Sequence, residues 1–150
     1  MKAYIKRFNQ VKEKYIDFIE NSDNSKLRIR DISNNLGISE AELLSVQIGN
    51  KLQFLEISNF SIFFSRILSE VDKLMFLIRS DFAVHEKIIS TKDYKFDNDA
   101  MLNKQDNGFP LIQFNINFFS YIFYEVKKHN NQELRSFQFF DDKGYSVLKI

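Results

Sequence analysis

Between Leu77 and Ser90 the chain reads LIRSDFAVHEKIIS, and Arg79, Asp81, Phe82, His85 and Glu86 gather chemistry-bearing side chains inside an apolar, β-prone run. An arginine there can hold a carboxylate through two parallel hydrogen bonds, and an imidazole can bind a metal or move a proton. Phe82, at the corner of the run, offers either a ring to stack on a flat ligand or a side chain for the core. The segment alone decides between none of these uses.

Composition narrows the chemistry. Cysteine is absent, which excludes a disulfide frame, a thiolate nucleophile and a cysteine metal site. His85 and His129 are the two histidines, so a protein-only zinc centre would have to lean on carboxylates. His129, in KKHNNQ, reads as an exposed turn residue. No nucleophilic triad, metal–carboxylate motif or phosphate-binding glycine loop stands out. The formal charge of +1 gives no push toward nucleic acid or membrane. No 18-residue apolar run exists, and the start MKAYIKRFNQVKEKYIDF lacks the apolar block and cleavage site of a secretion signal; the cytoplasm is the expected compartment.

The elements that must position these residues follow from periodicity. A chain of 150 residues is expected to form one domain around one core, with seventeen phenylalanines and six tyrosines supplying much of its buried area. Apolar residues recur every three or four positions over Ala3 to Glu20 (Tyr4, Ile5, Phe8, Val11, Tyr15, Phe18, Ile19), predicting an amphipathic helix that NSDNSK ends. A second short helix runs to Leu36 with Gly37 as its C-cap, and Ser39 with Glu42 makes a capping box for a third. A fourth is expected from Asn59 to Glu70.

RDISNNLGISEAELLSV can also be read as a helix-turn-helix. Its recognition segment would carry Glu40 and Glu42 and no lysine or arginine, the wrong sign for phosphate, so a packing module is the better reading. After Glu70 the period changes. Strands are expected over 74–78, 83–89, 111–118, 119–127, 135–141 and 145–150, all in one antiparallel sheet, the last two forming a hairpin around Asp141 to Gly144. The polar interval Ser90 to Asn107 reads mainly as a loop and a possible cleft rim. The order of elements predicts an α+β fold: a large antiparallel sheet with N-terminal helices packed against or beside it.

The stretches RDISNNLGISEAELLSVQIG (30–49), IRSDFAVHEK (78–87) and RSFQFFDDKGYSVLKI (135–150), taken in order, resemble the first half of the HemS-type haemin-degrading and haem-transport proteins, across roughly residues 27–150. The resemblance implies one half-unit of a two-half architecture, or a single related domain that pairs into a dimer, and the end at Ile150 inside an apparent strand agrees with a piece of a longer chain. It implies haem as ligand or substrate, held in a cleft. The arginine that faces the haem opposite the axial histidine is matched by Arg79; the axial histidine belongs to the second half. His85 matches a histidine of the AVHE segment, not the axial position, and is expected to be orienting or structural. Where many relatives carry glycine–histidine before the next strand, this chain has NDAMLNKQDNGFP, without histidine. Tyr4 and Tyr15 could offer phenolates to ferric haem, but helical spacing explains them as packing residues.

The resulting expectation is haem binding, transfer or storage in bacterial haem utilisation, with Arg79, Phe82 and His85 as the cofactor-binding residues and either a homodimer or a missing partner half completing the unit. A non-catalytic packing or regulatory domain that keeps the fold without haem is the alternative. Oxidative haem breakdown ranks below both, because the half presenting the axial ligand is absent.

Overall fold

A computed structural model of the chain describes residues 2–20, 24–49, 51–80, 82–105 and 110–150, with side chains from Lys6 onward. Asp81, residues 21–23 and 106–109 and the Tyr4 side chain fall outside the described residues.

Among the described residues four helices precede or interrupt nine strands: α1 (Lys2–Glu20), α2 (Ile29–Leu36), α3 (Glu40–Ser45), β1 (Leu52–Leu55), α4 (Phe60–Glu70), β2 (Lys73–Arg79), β3 (Val84–Ser90), β4 (Tyr94–Asp97), β5 (Ala100–Asn103), β6 (Pro110–Gln113), β7 (Tyr121–His129), β8 (Gln132–Phe140) and β9 (Ser146–Lys149). Local chemistry sets the helix ends. Gly37 adopts φ +64 after α2 and its N–H returns to Asn34 O, ending the helix without a Cβ penalty. The Ser39 hydroxyl accepts from Glu42 N at 3.2 Å while the Glu42 carboxylate accepts from Ser39 N, the reciprocal pair expected at the start of α3. Asn59 Oδ1 accepts from Ile62 N at 2.9 Å to begin α4. α1 is tied to α3 by Arg7 Nε on Glu42 Oε1 at 2.6 Å, and buries Val11.

The strands form two antiparallel sheets, not one: a six-stranded sheet in the order β1-β7-β8-β9-β2-β3 and a three-stranded sheet β4-β5-β6. The α+β class holds, and the helices pack as expected. Besides the single sheet, two further expectations need correction. Within 90–107, expected to be mainly loop, β4 and β5 pair across Asn98–Asp99, both at positive φ (47° and 60°), a two-residue hairpin turn that Asn and Asp tolerate. The alternation expected to make one strand over 111–118 breaks after Gln113: Asn115 leaves the strand, Ile116–Phe118 make a single 3-10 turn, and the chain crosses from the small sheet to the large one. A similar Asn130–Asn131 turn, φ 47° and 62°, closes the β7–β8 hairpin beside the exposed His129.

The large sheet is clad on both faces. On the inner face α4 and the small sheet enclose the main core, centred on Phe64, which is 0% exposed and stacks on Phe96, Phe114 and Phe139 at centroid distances of 4.7, 5.0 and 5.8 Å. On the outer face α2 and α3 cover one end, burying Ala41 and Leu44 against Leu52, Phe123 and Phe140. Among the described residues no helix packs over the rest of the outer face.

Two stability measurements follow. Phe64→Ala should cost about 3–5 kcal/mol, lowering the urea midpoint with a native-like slope; a cost under about 1 kcal/mol would mean the stack is not the centre of the core. Glu42 is held below the usual 4.5, first by its hydrogen bond from Arg7, with burial opposing and Ser39 assisting. Its stabilising effect is therefore present above its unfolded value and is lost as pH falls through the lower folded value. Arg7→Gln should flatten the acid limb of the stability profile in that window and leave the alkaline limb unchanged.

Candidate functional site

Strand parity decides where the candidate residues point. In β2 the core side chains Leu74, Phe76 and Ile78 alternate with Lys73, Met75, Leu77 and Arg79, which therefore lie on the outer face. Antiparallel pairing puts opposed residues on the same face: Arg79 stands opposite Val84, and Ile78 opposite His85. Arg79 and His85 thus sit on opposite faces of the sheet, and the structure does not bring them together. His85 and Glu86, adjacent on β3, also point to opposite faces, and both are exposed on an edge strand.

Phe82 occupies the turn between β2 and β3, where Ser80 Oγ accepts from Ala83 N at 3.1 Å and Ser80 N donates to Ala83 O at 2.9 Å. It is 98% exposed, which removes its core reading and leaves an aromatic ring free at the rim.

Arg79 ends β2 where α2 and α3 stop covering the outer face. A cleft of about 450 Å³ opens there, walled by Arg30, Ser33 and Asn34 from α2, Glu40 from α3, Arg79 and Ser80, and Tyr145 and Ser146 at the start of β9. Arg79 is half-buried, and among the described residues its guanidinium has no hydrogen bond or ion pair within 4 Å. Arg30 Nη1 reaches Ser80 O at 3.3 Å, joining α2 to the β2–β3 turn. Glu40 is 8% exposed. Burial pushes its carboxyl above the usual range, while Arg30, Arg79 and the Ser146 N–H pull it part of the way back.

Sequence reasoning treated Glu40 only as an acid of the wrong sign for DNA. Its burial was legible in the spacing: Glu40 lies three and four positions before Leu43 and Leu44, on the stripe α3 turns inward. Arg30 had no comparable signal, because only the tertiary fold brings α2 beside Ser80.

Beyond the cleft, the uncovered outer face exposes apolar side chains from three strands: Met75 (41%), Val84 (56%), Ile88 (67%) and Leu134 (51%). Across its middle runs a polar stripe in which Glu125 accepts from Lys127 at 2.9 Å and Gln138 Nε2 at 2.9 Å, with Lys149 Nζ at 3.7 Å. Burial lowers the Lys149 pKa, Glu125 opposes that, and Lys127 and Arg79 add to it. A flat apolar body with acidic substituents matches this combination of apolar shelf and flanking cations. A larger cavity of about 590 Å³ lies on another side of α3, lined by Ser39, Ala41 and Glu42 together with Ile48, Phe54 and Phe123, and does not include Arg79. Among the described residues no cluster of His, Asp and Glu is arranged to hold a metal ion, and no helix is long and apolar enough to cross a membrane.

Known proteins share this architecture. PhuS from Pseudomonas aeruginosa, a heme-binding protein, superposes with a TM-score of 0.70 at 21% identity over 93% of this chain and 40% of its own. The heme-degrading enzyme ChuS of Escherichia coli O157:H7 gives 0.67 at 22% identity, over 93% and 41%. ChuX, a heme-binding protein, gives 0.61 at 11% identity, over 82% and 75%. The chain therefore spans about two fifths of the length of PhuS and ChuS. No curated protein matches it in sequence. Residues 37–150 match the family described as "Haemin-degrading HemS.ChuX domain", a span that takes in α3, both sheets and Arg79. With three quarters of its length inside that match, the chain belongs to the haemin-degrading HemS/ChuX domain family.

Proposed function

We propose that the protein binds haem on the uncovered outer face of its large sheet, as a transfer or storage step in bacterial haem utilisation. The observation that carries this reading is Arg79: a half-buried guanidinium with no hydrogen bond or salt bridge among the described residues, lining a cleft at the head of an apolar shelf, in a chain of the HemS/ChuX family. Its five N–H donors suit a carboxylate or an oxygen ligand at the porphyrin face. Val84, Ile88 and Met75 would lie under the ring, and the free Phe82 ring stands at the edge to stack or close over it.

His85, on the opposite face, takes no part in iron ligation in this reading; it acts on the β2–β3 edge that carries Arg79. A second wall for the ligand must come from outside this half-unit, and a second copy of the chain is the simplest source. The relative lengths of PhuS and ChuS support that idea. The cysteine-free composition suits the reducing cytoplasm this function implies.

Haemin titration tests the reading. A saturable Soret shift at one haem per chain or per dimer is expected, and featureless non-saturating adsorption would instead favour a domain that keeps the fold without haem. Arg79→Ala should weaken binding about tenfold or more, the scale of one hydrogen bond to a charged group, while thermal unfolding stays near that of the parent. His85→Ala should leave the axial-ligand signature in paramagnetic resonance unchanged; loss of an imidazole signature in that variant alone would reverse the two roles.

Assembly is checked separately. Light scattering should report a dimer mass at micromolar concentration, and a monomer throughout, with or without haemin, would remove self-association as the source of the second wall.

A further inference from the structure

We propose that the cleft between α2, α3 and the ends of β2 and β9 is a receptor for a carboxylate carried by the ligand, with Glu40 as its built-in competitor. The inference rests on the haem reading above and specifies which part of the ligand enters the protein at Arg79.

Two arginines line this cleft from different elements, Arg30 on α2 and Arg79 on β2, and among the described residues the acid lining it with them is Glu40. Glu40 cannot swing away. Its helix is pinned by Ala41 N donating to Gly144 O at 3.1 Å, and the Ser146 N–H is near enough to favour its ionised form. With 8% exposure, it is an internal carboxylate resting in the field of two guanidinium groups. That arrangement is what a ligand carboxylate would also seek. The remaining lining groups, Ser33, Asn34, Ser80, Tyr145 and Ser146, are neutral, and Asp31 on α2 adds only negative potential. An arriving carboxylate therefore shares Arg79 and Arg30 with a like charge, and binds better when Glu40 is neutral.

The energetics of Glu40 point the same way. Burial raises its pKa more than the arginines lower it, so the folded state holds the proton more tightly than the unfolded chain does. The favourable contribution is complete below the unfolded value and is lost as pH rises through the folded one. At neutral pH the ionised group is a cost to the fold. A residue kept at a cost, beside an arginine that makes no hydrogen bond or salt bridge among the described residues, fits a role in ligand exchange: uptake of a carboxylate coupled to a proton on Glu40.

Glu40→Gln tests this, because the amide oxygen can still face the Ser146 N–H and the charge is removed. The variant should be at least as stable as the parent at pH 7. It should bind haemin about tenfold tighter there, the scale of one like-charge contact. Parent affinity should rise as pH is lowered through the Glu40 titration, and the variant should lose that extra slope; the ligand's own titration is common to both. Haemin dimethyl ester, with its carboxylates masked, should bind the two proteins equally. Equal or weaker haemin binding by the folded variant, or the same gain with the ester, overturns the proposal. If neither protein gives a saturable Soret change, the haem reading fails, and the carboxylate site is judged by succinate titration followed on the arginine Nε–Hε resonances. Larger shifts in the variant than in the parent sustain the site, and an absence of shifts in both removes it.

Discussion

The close approach of Gly144 to Ser39 is the contact on which the site depends. Gly144, at φ +81 in the turn between β8 and β9, lies so near α3 that a Cβ there would sit 2.4 Å from Ser39 Oγ and 3.1 Å from the Ala41 Cβ. Only glycine satisfies both the backbone conformation and the spacing. Because the turn can touch the first residues of α3, Ala41 N finds Gly144 O and Glu40 is pressed between α2, β2 and β9. The capping box and the Arg7 pair act on the same helix from its other side. A displacement of α3 by even one side-chain diameter would open the cleft wall opposite Arg79 and expose Leu43 and Leu44, both essentially inaccessible.

The two faces of the large sheet divide structural and binding duties. Aromatic packing between α4, the small sheet and the inner face holds the strands in place, with rings from β4, β8 and the segment after β6 meeting Phe64 of α4. The outer face is buried only where α2 and α3 reach it. What lies beyond is not the polar surface that a solvated sheet face ordinarily carries. Val84, Ile88 and Met75 stay apolar and exposed on β2 and β3, with Glu86 between Val84 and Ile88, and exposed apolar side chains grouped on adjacent strands suit an interaction surface.

Much of this was written in local sequence signals, and what was not has identifiable causes. The caps of α2 and α3, the extent of α4, the paired strands β2 and β3 and the final hairpin all follow from residues such as Gly37, Ser39 and Gly144, whose chemistry acts within a few positions. The second sheet was hidden because its turn uses Asn98–Asp99 without glycine, and its strands are four residues each, too short to set a period. The false long strand over 111–118 arose because alternation persists through the 3-10 turn at Ile116–Phe118, where the apolar side chains serve two sheets in succession. Arg79 was legible in the run that contains it. Its neighbours in space were not, since Arg30, Glu40 and Ser146 come from segments far apart in sequence.

The parity of β2 constrains any account of function more tightly than the identity of its residues. Burial of Phe76, Ile89 and Leu148 on the inner face fixes the register of the three neighbouring strands, and with it the outward direction of Arg79. Moving His85 to the same face would need a one-residue slip of β3 against β2, which would carry Ile89 out of the core. The cost of exposing such a side chain, about 1.5–3 kcal/mol, makes that slip unavailable to the folded protein. A ligand that meets Arg79 therefore cannot take an imidazole from β3 of the same chain. It has to complete its contacts from the helices beside the cleft or from a second surface laid over the shelf.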